Sequence, residues 1–195
     1  MLASITPLGE RGRQSHYAVT MVTFLLGAAL AGAGVGLVLG AIGSAALGAV
    51  SPSARLVVLA VALAVAIGID LRSGSAPGPR RQVNEQWLDS YRGWVYGLGF
   101  GAQLGLGLST IVTSAATYVG LLAAVLSGSA AAGALIYGSY GLLRGVTPLL
   151  ASGVRAPEQL VTLHVGLARG RAPVTVASLA VLGTLLVLAV AGVLA

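Results

Sequence analysis

Few side chains in this sequence could do chemistry, and most of them are set among apolar residues. Arg144 stands in YGLLRGVTPLL, inside a long apolar stretch. A guanidinium at the centre of a bilayer is unfavourable by about 2–3 kcal/mol, less if it snorkels to the edge. It therefore calls for a partner. Asp70, Glu85 and Asp89 are the candidate carboxylates, and a salt bridge to one of them would tie this stretch to the preceding polar loop. The other chemistry open to Arg144 is capture of an anion or a lipid headgroup. With Gln103, Ser109, Thr110 and Thr113, Arg144 makes a candidate polar site for a small solute. Gln103, Thr110, Ser114 and Thr117 also fall at heptad-like spacing. Such groups serve equally well as hydrogen bonds between helices, each worth about 1 kcal/mol or less.

Other chemistry is missing. No carboxylate lies deep in an apolar run, although proton- and cation-coupled transporters usually need one. His16 and His164 are far apart, and neither has a ligand set nearby. The absence of cysteine removes thiol redox chemistry, disulfides and thiolate metal sites together. There is no P-loop, no GxGxxG between a strand and a helix, and no nucleophile–base pair at useful spacing. The expectation is a protein that is not an enzyme and holds no cofactor and no metal.

The elements carrying these residues are dictated by hydropathy. Of 195 residues, 56% are hydrophobic and 8% are charged; a soluble domain carries about 25% charged residues. Mean hydropathy is +0.93. Such a chain cannot cover a water-facing surface, so the expected fold is an all-α, polytopic membrane bundle in one transmembrane domain over 1–195. Apolar blocks fall at about 18–49, 54–71, 93–127, 130–152 and 172–195. At ~1.5 Å per residue the second, fourth and fifth match one crossing of a ~30 Å core. The first and third reach about 50 Å, and are expected as two long Gly-rich helices that tilt, bend or protrude. Arg11 and Arg13 before an apolar run containing ALA at 29–31 also fit a signal-peptide pattern, but that run continues to about residue 50 with no polar segment after the would-be cleavage site.

All eleven basic residues are Arg. With five crossings and the N-terminus inside, Arg11, Arg13, Arg72, Arg80, Arg81, Arg92, Arg155, Arg169 and Arg171 fall inside and Arg55 outside. This bias sets the N-terminus in and the C-terminus out, and explains the net charge of +6 without nucleic acid. The inner loops are then 72–92 and 153–171, in a cell (cytoplasmic) membrane. In the first loop Asn84 is expected as a helix N-cap, and Trp87, Tyr91, Trp94 and Tyr96 as an interfacial aromatic belt. In the second, Pro157 starts and Arg169–Gly170 ends a short amphipathic helix with Leu160, Val161, Leu163 and Leu167 on its apolar face.

Small residues recur at every fourth position. Gly93, Gly97, Gly101 and Gly105 are followed by Ser109, Thr113 and Thr117; Ala28, Gly32, Gly36, Gly40, Ser44 and Gly48 form a second row. Burial gives no net drive to helix association in lipid, whereas close backbone approach does, and small residues at i, i+4 permit it. These rows are read as packing ridges, within the chain or toward another subunit. The other reading is a bend or unwound point that lines a site.

The stretch YGLGFGAQLGLGLSTIVTSAATYVGLLAAVLSG, followed by a span ending YGLLRG, resembles the Gly-rich helices of CcdA/DsbD-type membrane proteins of the wider LysE-like transporter superfamily. The likeness covers about half of the chain. It implies a compact small-residue bundle. Members pass electrons through paired cysteines, which this chain lacks, and they have two inverted halves of three spans where five appear here. No catalytic residue transfers. Two functional readings follow: an accessory subunit of a larger membrane complex, in contact with the bilayer and with another subunit or itself, and a small-solute transporter or exporter of LysE-like type. A third is a cysteine-free scaffold that docks an extracytoplasmic redox protein.

Overall fold

Hydropathy this high leaves backbone groups no water to bond to, and helices satisfy them internally. The computed structural model describes residues 5–73, 76, 78, 86–109, 112 and 114–194, and no strand occurs among them. The helices are α1 (Pro7–Gly12), α2 (Tyr17–Ala46), α3 (Pro52–Ser73), α4 (Trp87–Ser90), α5 (Gly93–Gly105), α6 (Ala116–Leu126), α7 (Ala130–Val146), α8 (Pro157–Arg169) and α9 (Arg171–Leu194), with a 3-10 segment at Thr147–Ala151. Three are long and apolar enough to cross a membrane: Tyr17–Ala46, Pro52–Arg72 and Pro173–Leu194.

The stretch expected as one long helix over 93–127 is two short ones. Helix α5 stops at Gly105, and Gly107 follows with φ +78°, a conformation that L side chains rarely adopt. Ser109 therefore lies past the helix end, so the row from Gly93 to Thr117 does not continue along one helix. Gly-Leu-Gly-Leu at 105–108 is poor helix propagating sequence, and the β-branched residues after it add to the break. Pro148 gives a 3-10 turn at the end of α7, since its ring removes one helical donor. Helix α8 forms over the expected residues, but Val161 is 66% exposed; Leu160, Leu163 and Leu167, at helical spacing, are the half-buried positions.

Contacts divide the chain into two units. The first comprises Met1–Gly32, Arg81–Thr110 and Gly138–Arg171. Its core is Ile5, Met21, Phe24, Leu88, Tyr96, Phe100 and Leu104, with Trp87 stacked on Phe100 at 6.1 Å between centroids. Here α5 runs parallel to the start of α2 in backbone contact. A methyl group at Gly97 would meet the Thr20 carbonyl oxygen at 2.6 Å; one at Gly101 would overlap the Phe24 carbonyl and one at Gly105 the Ala28 carbonyl. Positions 20, 24 and 28 thus face 97, 101 and 105, an i, i+4 row against another.

The second unit comprises Ala33–Arg80, Ile111–Tyr137 and Ala172–Ala195. Its core joins Leu63 and Ala66 of α3, Val119 of α6, and Leu182 and Ala189 of α9. Gly36 faces the Gly133 carbonyl and Gly40 the Ser129 carbonyl, which sets α2 antiparallel to α7. Gly32, the last α2 residue of the first unit, is buried as well. At the end of α2, Arg55 donates from Nε to the Val50 carbonyl at 3.1 Å and from Nη2 to the Leu47 carbonyl, so this arginine serves carbonyls left open past a helix terminus.

Candidate functional site

In the first unit, the end of α5 is held by Arg144. Its Nη1 donates to the Gly107 carbonyl at 3.1 Å and to the Tyr140 hydroxyl at 3.0 Å. A cation at a helix C-terminus is electrostatically favourable, and here it also satisfies a carbonyl that the break takes out of the helical ladder. The Ser109 hydroxyl donates to the Gln103 carbonyl across the same turn. Three of the five expected site residues, Gln103, Ser109 and Arg144, thus gather at the α5 terminus. Thr110, Thr113 and Glu85, like Asn84 and the Asp89 side chain, lie outside the described residues.

In the second unit, Asp70 serves the start of α6. Its carboxylate accepts from the Ser114 hydroxyl at 2.7 Å and from the Ala115 backbone N–H at 2.9 Å. An anion beside open N–H groups is the favourable arrangement for a helix N-terminus. Asp70→Ala should therefore destabilise the protein by about 1–2 kcal/mol, and Asp70→Asn by less. Chemical or thermal unfolding followed by circular dichroism reads this; equal stability of all three proteins would refute the capping role.

The most elaborate polar cluster was not anticipated from the sequence. Glu10, fully buried, stands in the first turn of α1 and lies among α2 and α5 residues of the first unit. The Tyr96 hydroxyl lies within donating distance of both carboxylate oxygens, 2.6 and 2.7 Å away. Thr20 donates at 2.7 Å, and Arg13 pairs at 3.1 Å. Arg13 also lies 5.8 Å from the centroid of the Tyr96 ring. Tyr96 is thus not part of an exposed aromatic belt: it is 0% exposed, whereas Tyr91 and Trp94 are each 52% exposed. A local signal was available in Thr6-Pro7, an N-cap followed by proline at the first helical position. Thr6 accepts from the Gly9 N–H at 3.0 Å, as that signature demands. The pairing of Glu10 with Tyr96, 86 residues away, had no such local mark.

Beside this cluster a cleft of about 660 Å³ opens between the start of α2 and the α4–α5 turn. Among the described residues no group of three or more His, Asp or Glu is placed to hold a metal. Comparison with protein-family models, curated proteins and solved structures gives no match.

Proposed function

We propose that this chain is a multi-pass cell-membrane protein that handles a small solute at a broken helix. The observation that supports this reading is the end of α5 at Gly105, where unwound backbone inside an apolar stretch is served by the Arg144 guanidinium. Irregular backbone at membrane depth is tolerated where protein buries it or where it lines a cavity, and discontinuous helices are the usual substrate-site element of secondary transporters. The five-crossing topology, N-terminus in and C-terminus out, belongs to the same proposal. Its third crossing is the stretch 93–127, and its support is the arginine bias. The resemblance to LysE-like bundles agrees with it. No catalytic residue is proposed.

The absence of native cysteine makes the test clean. Gln103→Cys, Leu106→Cys and Ser109→Cys should each react with a water-soluble maleimide in intact membranes, and Arg144→Gln should change the labelling rate. Thiols that stay unreactive until the protein is denatured would mean a sealed seam and would remove the transport reading.

A second reading, an accessory subunit of a larger complex, draws on open glycines. Gly34, Gly68 and Gly183, on the three longest apolar helices, have nothing within 4 Å of the position a methyl group would take. Such positions suit close approach by another helix. Native mass spectrometry from mild detergent tests this directly: the 19.3 kDa chain should carry a partner of different mass, and a chain that flies alone or only with itself removes it.

A further inference from the structure

We infer that the cleft at the α2 and α5 N-termini binds a phosphate-bearing anion. Its described lining includes Arg13, His16 and Arg92, and none of the described lining residues is acidic. Arg13 is committed to Glu10, which fixes its position. Arg92 is exposed, and its side chain makes no hydrogen bond or ion pair among the described residues. It is also the N-cap residue of α5, where no side chain caps the helix. An uncapped 13-residue helix aims its open N–H groups and positive dipole end at the same space. Guanidinium groups suit phosphate because their planar forks can donate two parallel hydrogen bonds. The remaining walls are part polar, with Gln14, Ser15 and Ser90, and part apolar or aromatic, with Val19, Leu88 and the half-exposed Trp94. That combination of cations beside an aromatic and aliphatic wall matches a phosphodiester headgroup with its glycerol attached, and also accepts free phosphate.

The experiment is a titration of the full-length chain in maltoside detergent, read by tryptophan fluorescence, since Trp94 lines the cleft. The probes are dihexanoyl phosphatidylglycerol, dihexanoyl phosphatidylcholine and inorganic phosphate. A saturable response to the phosphatidylglycerol, with the phosphatidylcholine much weaker, is expected. Arg92→Gln should weaken it about tenfold, the loss of one charge-assisted contact. Arg72→Gln, an equal change of charge on α3, should leave it unaltered. A saturable response to inorganic phosphate of similar strength assigns the site to free phosphate; a response to the lipid alone assigns it to a headgroup. No saturable response to either anion, equal response to phosphatidylcholine, or indifference to Arg92→Gln would overturn the inference. Arg92 is exposed, so the variant does not disturb the core, and circular dichroism checks this.

Discussion

Gly101→Ala should destabilise the protein by at least about 3 kcal/mol, the upper end of what an inserted methylene does in a packed core. The reason is the identity of the neighbours. The new methyl group would overlap the Phe24 carbonyl oxygen and lie 2.8 Å from its carbon and 3.0 Å from the Ala28 nitrogen. These are backbone atoms of α2 and cannot rotate away as a side chain would. Relief needs α2 and α5 to separate, which breaks the contacts at Gly97 and Gly105 with it. Gly34→Ala makes the opposite prediction. That site has open space, and alanine favours helix over glycine by about 1 kcal/mol. Thermal unfolding of both variants in one detergent gives a lowered Tm for the first and an unchanged or raised Tm for the second. Equal Tm values would mean that the close backbone approach does not govern stability. If Gly34→Ala were instead to lose a partner on native mass spectrometry while keeping its Tm, the open glycine would belong to an interface.

Much of this architecture was readable because helix length and hydropathy act locally. The bounds of α3, α8 and α9 fall within about two residues of the apolar runs and caps that announce them. The row of glycines at 93, 97, 101 and 105 also announces the atoms it meets, since an i, i+4 row of small residues has few uses besides close approach. The break after Gly105 was harder to see. Apolar composition continues unchanged through Leu106–Leu108, and the weak helix formers Gly105 and Gly107 resemble the glycines within α5, so φ +78° at Gly107 is what marks the end. Arg144 was singled out for its cost in an apolar stretch and given carboxylates as partners. Among the described residues its guanidinium meets a backbone carbonyl and a tyrosine hydroxyl, acceptors that charge alone does not pick out, while Glu85 and the Asp89 side chain lie outside those residues. Asp70 likewise meets the helix start at Ser114 and Ala115. Both cases have one cause: in an apolar chain, the commonest polar atoms needing a partner are those of broken backbone, and they carry no signature in the sequence.

Glu10→Ala should be more damaging than any other single side-chain truncation, at about 3–5 kcal/mol. It removes the carboxylate on which the Tyr96 hydroxyl sits and leaves that 0% exposed hydroxyl with only the Ser15 and Thr20 hydroxyls to bond. Thr20 is less affected, because its hydroxyl also lies 3.4 Å from the His16 carbonyl. Tyr96→Phe should lose about 1–3 kcal/mol, since the carboxylate keeps Thr20 and Arg13. Glu10→Gln falls between these, because an amide preserves the volume and one acceptor oxygen but loses the charge that Arg13, purely a donor, pairs with. The decisive quantity is the coupling between the two sites. With Tyr96→Phe already in place, Glu10→Ala no longer takes the carboxylate from a buried hydroxyl, so the double variant should be more stable than the sum of the singles predicts. Unfolding free energies from one denaturant series on four proteins measure it. Strict additivity would mean that Glu10 and Tyr96 are neighbours without an energetic link. A coupling above about 1 kcal/mol would show that α1, though only six residues long, is pinned to α5 by this bond. That link matters for the cleft beside it, because Arg13 takes its position from the same carboxylate.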